Sequence, residues 1–425
     1  MSHSPHQIEI SPRGPIHARV RPPGSKSITN RALVCAALAQ DRSELSGVLD
    51  SEDTRVMVEA LRQLGIGIDA RFEDETIEVA GCGGRLPAEG GELYAANSGT
   101  TIRFLAAMVS LGRGTFRLDG TSRMRERPIG DLVGSLRQLG VDAQAESAGD
   151  CPPVAIRAAG LSGGRATVRG DVSSQFLSGL LLAAPYAREP VVLSVEGELV
   201  SQPYVLMTLV VMEAFGVRTQ RSAMREFRLP RQPYHGRRYA IEPDASAASY
   251  FFGAAAITGG EVTVDGLSRS SLQGDVAFVD VLAQMGCRVT HAADHITVAG
   301  GKLHGVTVNM NAISDTVQTL GAVALFATGP TTITGVGHIR HKETDRIGAL
   351  ATELRKLGAH VEELPDGLRI TPAVLRPAVI DTYQDHRMAM SLALAGLRQA
   401  GVVINDPGCT AKTYPRFWDD LRSLA

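Results

Sequence analysis

The stretch PPGSKSITNRALVCAALAQ, residues 22–40, sets Lys26, Ser27 and Arg31 at the mouth of an Ala/Leu-rich run. A bend made by Pro22, Pro23 and Gly24 leads into it. Gly, Lys and Ser in close order suggest a phosphate-cradling P-loop, but the spacing excludes one. That motif, G-x-x-x-x-G-K-[ST], needs glycine directly before the lysine so that the backbone can wrap a polyphosphate. Here Ser25 precedes Lys26, and no glycine lies five residues upstream of Gly24. What remains is a polar start on a helix that is apolar all round, and such a helix belongs inside a protein.

Five more stretches share this design. They are NSGTTIRFLAAMVSL from Asn97, SSQFLSGLLLAAP from Ser173, DASAASYFFGAAAI from Asp244, SDTVQTLGAVALFATG from Ser314 and DHRMAMSLALAGL from Asp385. Counted from Ser25, the intervals are 72, 76, 71, 70 and 71 residues, a near-constant period that marks internal repetition. An amphipathic second helix follows each start. Five of these stop at a glycine (Gly65, Gly140, Gly216, Gly286 and Gly358), as helices ending in a left-handed residue do. Alternating runs such as IDARFEDETIEV and CRVTHAADHITV then predict β-hairpins. The last helix, FWDDLRSL, ends the chain, and the N-terminal strand IEISP is expected to supply the hairpin half missing after it. The unit is therefore βαβαββ, repeated six times in an α/β chain. Three units per domain predict two similar domains, residues 1–23 with 243–425 and residues 24–242, crossed by the chain near 23 and 243.

Bulk composition agrees. A chain of 425 residues exceeds the roughly 250–300 at which single cores stop growing, so two domains are expected. A net charge of −2 leaves no global attraction to nucleic acid or an anionic membrane, so neither is an expected partner. No apolar run approaches the ~18–20 residues that span a bilayer, and residues 1–14 carry no apolar signal core. The five cysteines are odd in number and scattered, with no C-x-x-C pair. Disulfides and a zinc site are not expected, and a cytoplasmic location is.

Helix starts expose free N–H groups and the positive end of the dipole. Several together favour anions, and the residues placed there fit that use. Lys26, Ser27 and Arg31 stand at the first start; Asn97, Ser98, Gly99, Thr100 and Arg103 at the second; Ser173, Ser174 and Gln175 at the third. The other half offers Asp315, Lys342, Glu343, Arg346, Asp385, His386, Arg387 and Lys412. Read as helical, Lys342 and Glu343 share a face with Arg346. Arginines grip phosphate and carboxylate bidentately, and carboxylates set among them, Asp315 and Glu343, are candidate proton carriers. Each has a plainer reading. Ser173, Asp244, Ser314 or Asp385 alone could be an N-cap, RHKETDR a solvated face, RMRERP a basic surface loop, and His386 a structural hydrogen-bonder. Their recurrence at matching repeat positions is what favours a site.

GSKSITNR, NSGTTIR, RMRERPIG, SSQFLSGLL, SDTVQTL, HKETDRI, YQDHRMAM and CTAKTYP occur in an order that resembles the EPSP synthase (3-phosphoshikimate 1-carboxyvinyltransferase) family, from about residue 22 to 415. The resemblance implies a two-domain inside-out α/β barrel of six βαβαββ repeats. It implies transfer of the enolpyruvyl group of phosphoenolpyruvate to the 5-hydroxyl of shikimate 3-phosphate, in the shikimate pathway, without metal or organic cofactor. Lys26, Asp315 and Glu343 match the family's catalytic positions. Lys26, Asn97, Gly99, Arg127, Gln175 and Lys412, with Arg346 and Arg387 as carboxylate clamp, match its phosphoenolpyruvate site. Lys26, Ser27, Arg31, Ser173, Ser174, Gln175, Ser201, Tyr204, Asp315, His338 and Lys342 match its shikimate 3-phosphate site. The half-sites fall on different domains, so closure on substrate is expected to complete them. Phe104 and His338 depart from the commonest pattern, where proline and asparagine are frequent. Gly99 is retained, so glyphosate is an expected inhibitor; a monomer is expected. The rival UDP-N-acetylglucosamine enolpyruvyltransferase typically carries Lys-Asn at the opening motif and a loop cysteine. Here Lys26-Ser27 and a cysteine-free TSRMRERPIG stand instead. A phosphosugar-binding protein without chemistry is disfavoured by intact Lys26, Asp315, Glu343 and Lys412, and an RNA terminal-phosphate cyclase would need a nucleotide-transfer site that is not seen.

Overall fold

The computed structural model describes residues 6–424; Met1–Pro5 of the segment read for a signal core lie outside them. The chain divides into two compact units. The N-terminal unit is Gly24–Ile241, and the C-terminal unit joins the described residues up to Pro23 to those from Glu242 onward.

Among the described residues, twelve α-helices alternate between two kinds. The first kind comprises α1 (Lys26–Leu38), α3 (Gly99–Val109), α5 (Ser174–Ala183), α7 (Ala245–Thr258), α9 (Val317–Ala324) and α11 (His386–Gly396). Every residue of α3, α7, α9 and α11 is buried, as an apolar circumference demands. The second kind comprises α2 (Glu52–Gln63), α4 (Gly130–Gln138), α6 (Gln202–Ala214), α8 (Phe278–Gln284), α10 (Arg346–Lys356) and α12 (Phe417–Ser423), each with an exposed face. In the C-terminal unit α7, α9 and α11 pack on one another pairwise, and each also packs on a strand, α7 on Glu261–Asp265, α9 on Gly367–Thr371 and α11 on Val402–Asn405. Ser249 on α7 meets Thr319 on α9 at 3.0 Å, and Thr319 meets Ser391 on α11 at 3.1 Å. All three hydroxyls lie in the first two turns of their helices, so the polar starts of this trio lie side by side. In the N-terminal unit Asn30 donates to Thr100 at 2.9 Å and ties α1 to α3 in the same way.

The caps obey the repeat. Ser25, Ser98, Ser173, Asp244 and Asp385 each accept a backbone N–H of the first turn of their own helix. The fifth start differs. Ser314 is no cap, because Asn311–Thr316 forms a 3-10 turn with a kink at Ile313, and α9 begins only at Val317. At the C-terminal ends, Gly65, Gly140, Gly216, Gly286 and Gly358 all have positive φ. In each case the next N–H returns to a carbonyl five residues back, as Ile66 does to Leu61 at 3.1 Å.

Each four-stranded sheet pairs two parallel strands and then an antiparallel hairpin. Gly90–Tyr94 runs parallel to Arg113–Asp119, which pairs antiparallel with Cys151–Ala159 and through it with Asp142–Ser147. Among the described residues five sheets share this order, and a sixth has three strands. In that sixth sheet Gln7–Ile10 pairs antiparallel with Val402–Asn405, so the N-terminal strand closes the last unit as expected. Two first strands are exchanged along the chain. His17–Val20 lies parallel to Glu261–Asp265, and Arg238–Ala240 lies parallel to Arg42–Ser46. The glycine of the opening stretch is required by close approach: a Cβ on Gly24 would sit 1.8 Å from the carbonyl oxygen of Gly47.

Candidate active site

In the C-terminal unit the expected residues converge on one carboxylate. Asp315 Oδ1 accepts from Lys342 Nζ at 2.5 Å and from Arg346 at 3.2 Å, while Oδ2 accepts from Arg387 at 2.8 Å. Arg346 is nearly inaccessible. It also donates to Glu343 Oε2 at 2.9 Å and, through Nε, to Asp385 Oδ2 at 2.7 Å. Burial by itself would raise Asp315, but Arg387, Lys342 and Arg346 outweigh it and hold the carboxyl well below the usual carboxylate range. Lys342 is itself lowered by burial, with Asp315 opposing that only in part. Burial, together with the charge of Asp315, pushes the neighbouring Asp275 up to about 6, although the Ser246 hydroxyl donates to it. His338 is buried, and that burial, with Lys342 nearby, pushes it down to about 3. It is therefore neutral at pH 7 and offers a ring nitrogen, not a charge. Lys412 is buried at the end of the turn Pro407–Lys412, which packs on α11.

The helical reading of RHKETDR needs correction. Gly337–His341 is a 3-10 turn and α10 begins at Arg346, with Asp345 as its cap, accepting from the N–H groups of Ile347 and Gly348. Lys342 and Glu343 therefore precede the helix. They reach Arg346 and Asp315 because the chain turns there, not because they share a helical face.

In the N-terminal unit the expected residues form three groups. Arg127 donates to the carbonyl and the side-chain oxygen of Asn97 at 2.9 and 3.1 Å, and Arg103 donates to Gln175 Oε1 at 2.7 Å. Both arginines crowd Gly99. A Cβ there would lie 2.5 Å from an Arg103 nitrogen and 2.6 Å from an Arg127 nitrogen. The second group surrounds Arg31, which is fully buried. Its nitrogens donate to Thr208 Oγ1 at 2.7 Å, to the Ser27 carbonyl at 2.8 Å and to the Tyr204 carbonyl at 3.1 Å, with Phe104 5.2 Å below the guanidinium. Burial lowers it to about 10, so it stays a cation at neutral pH. The departure at Phe104 thus places an aromatic face under this cation. Third, Lys26 pairs with the buried carboxylate of Asp53 at 3.3 Å. Ser173 caps α5 by accepting from Gln175 N, Ser174 is the buried first residue of that helix, and Ser201 precedes α6 in a left-handed conformation, φ 51°. In the loop RMRERP, Arg123 pairs with Glu126 and Arg125 with Asp119 at the surface, whereas Arg127 turns inward and is buried.

Asp53 was not among the residues singled out, yet it pairs with Lys26, which was; Arg103 and Asp385, placed at helix starts but given no substrate contact, hold Gln175 and Arg346. Asp53 carried one signal: it falls on the apolar face of an otherwise polar α2, where a carboxylate needs a partner. Among the described residues no cluster of His, Cys, Asp or Glu is arranged to hold a metal ion, and no helix is long and apolar enough to cross a membrane.

The profile described as EPSP synthase (3-phosphoshikimate 1-carboxyvinyltransferase) matches residues 10–421. The chain belongs to the EPSP synthase family. A family relative from Nostoc sp., named 3-phosphoshikimate 1-carboxyvinyltransferase, is 49% identical over 406 residues, covering 95% of this chain and 96% of its own. One of the same name from Marinomonas sp. is 44% identical over 423 residues, covering 99% of this chain and 100% of its own. The solved EPSP synthase from Acinetobacter baumannii superposes with a TM-score of 0.82 at 26% identity, covering 98% of each chain. The six-repeat α/β architecture is thus that of an EPSP synthase.

Proposed function

We propose that this chain transfers the enolpyruvyl group of phosphoenolpyruvate to the 5-hydroxyl of shikimate 3-phosphate, releasing phosphate, as a step towards chorismate and the aromatic amino acids. The full-length match to EPSP synthases of that name carries the reading, and the Asp315 cluster supports it. The 5-hydroxyl oxygen adds to C2 of phosphoenolpyruvate and gives its proton to Asp315 or Lys26. Glu343 protonates C3, so the product of addition is a tetrahedral ketal. Elimination then breaks the bond from C2 to the phosphate oxygen, Glu343 takes back a C3 proton, and phosphate leaves. Lys26, Arg127, Gln175, Lys412, Asn97 and the backbone at Gly99 hold the donor phosphate, and Arg346 and Arg387 its carboxylate. Ser173, Ser174, Gln175, Ser201, Tyr204, His338 and Lys342 hold shikimate 3-phosphate. Ser27 and Arg31 serve the ring substituents, Arg31 giving up a protein acceptor to do so.

Asp315 at rest is ionised but a weak base, because three cations stabilise its charge. A donor carboxylate that draws Arg346 and Arg387 away would raise its basicity when the hydroxyl proton must be taken. The deciding assay is phosphate release from phosphoenolpyruvate with shikimate 3-phosphate or UDP-N-acetylglucosamine as acceptor. Turnover is expected with the first alone, and its absence would overturn the assignment.

Two further expectations belong to the Gly99 site. Glyphosate should compete with phosphoenolpyruvate, and indifference at high concentration would remove it as an inhibitor. Gly99→Ala should fold, since its methyl meets only the movable ends of two arginines. Displacing them should raise KM for phosphoenolpyruvate roughly tenfold with little change in kcat, because ground-state and transition-state binding suffer alike. Steady-state kinetics check this. We place the enzyme in the cytoplasm as a monomer, which fractionation and sedimentation test.

A further inference from the structure

Glu353 is a fully buried carboxylate on α10 that the reaction does not use. It stands seven residues after Arg346, on the same face of the helix. Its Oε1 accepts from the Tyr383 hydroxyl at 2.7 Å, and its Oε2 accepts from the Asp381 backbone N–H at 3.1 Å and from Lys356 Nζ at 2.9 Å. Lys356 also pairs with the Asp381 side chain at 2.7 Å, whose other oxygen accepts from Asn405 at 2.7 Å. The segment held in this way is strained. Tyr383 and Gln384 are consecutive left-handed residues, φ 54° and 56°, each disfavoured for a side chain with a Cβ. Directly after them come Asp385, which grips Arg346 at 2.7 Å, and Arg387, which meets Asp315 at 2.8 Å. The face of α10 therefore holds one segment at two points, Glu353 at its strained entry and Arg346 at Asp385.

We propose that Glu353 is a positioning residue for the donor-carboxylate clamp. It holds Asp381 and Tyr383 so that the left-handed pair delivers Asp385 and Arg387 in register with Arg346. The inference rests on the carboxylate role proposed above for Arg346 and Arg387. Glu353→Gln keeps the shape but removes the negative charge, so the Asp381 N–H and Lys356 meet a neutral amide oxygen and the Tyr383 hydroxyl must turn from donor to acceptor. Tyr383→Phe removes a single hydrogen bond at a partly exposed ring.

The experiment measures kcat and both KM values for the full-length enzyme and the two variants, with amide hydrogen exchange over residues 381–387. A clamp that binds the carboxylate equally in ground and transition states predicts a selective rise in KM for phosphoenolpyruvate. The expected rise is about tenfold for Glu353→Gln and about threefold for Tyr383→Phe, with kcat and the KM for shikimate 3-phosphate within about twofold. Exchange over 381–387 should quicken. Wild-type KM for phosphoenolpyruvate in both variants overturns the proposal, and so does a fall in kcat with both KM values unchanged, as a smaller folded fraction would give. Should Glu353→Gln fail to fold, Tyr383→Phe decides. An inactive wild type would instead overturn the functional reading.

Discussion

Glu343→Gln is expected to fold, to bind shikimate 3-phosphate as the wild type does, and to lose roughly 10²–10⁴-fold in kcat, the usual contribution of a positioned general acid or base. Folding should survive because the amide is isosteric and its oxygen can still accept from Arg346. Arg346 also keeps Asp385 and Asp315, so it is not left as an uncompensated buried charge. What disappears is the proton that Glu343 carries to C3 and the carboxylate that takes one back. Addition and elimination both suffer, so the variant should also fail to exchange C3 protons of phosphoenolpyruvate with deuterated solvent. Kinetics, titration calorimetry with shikimate 3-phosphate and mass spectrometry of recovered donor check the three parts. Wild-type turnover would remove Glu343 from the mechanism.

Asp315→Asn should be damaging twice over. Lys342, Arg346 and Arg387 all meet this carboxylate. Arg346 keeps Glu343 and Asp385, so the loss falls chiefly on Lys342 and Arg387, and breaking a buried ion pair by removing one partner destabilises by about 3–5 kcal/mol. Turnover should fall by 10² or more, since a candidate proton acceptor goes with the charge. The pH dependence has a definite sign. The folded-state pKa of Asp315 is depressed, so its stabilisation is complete above the unfolded value of about 4 and is lost as pH falls through the folded one. The asparagine variant lacks this loss, and its stability should fall less steeply than the wild type's below about pH 4. Added phosphate or phosphoenolpyruvate should recover part of the lost thermal stability by binding the exposed cations. Denaturation at neutral pH and near pH 3, with and without anion, tests all of this. An unchanged neutral-pH stability would show that the three cations find other compensation.

Local chemistry wrote much of the fold into the chain. A cap that accepts from its own first turn and a glycine with positive φ at a helix end need no distant partner, so the repeat could be read from spacing. The same holds for the buried helices, whose apolar circumference leaves one place for them. The reading failed where a local rule had two outcomes. Ser314 resembled the other caps, yet Asn311–Thr316 kinks into a 3-10 turn. RHKETDR suggested a helix face, yet Asp345 starts α10 after Lys342 and Glu343. Both exceptions flank Asp315, where the backbone serves the cluster and not the repeat.

The candidate site divides along the same line. Residue types at the helix starts indicated cations for anionic substrates, with Asp315 and Glu343 among them. They could not indicate that Arg31 spends its donors on Ser27, Tyr204 and Thr208, that Lys26 is paired with Asp53, or that Glu353 anchors the strained turn before Asp385. The six-fold repeat, the buried and exposed helices, and the charged side chains at the polar starts are all legible along the chain. Those follow from backbone geometry and from burial patterns within a few residues. Which charge faces which is set by the folded chain, because a buried carboxylate is stabilised by partners that lie thirty or seventy residues away, as Tyr383 from Glu353 and Arg387 from Asp315.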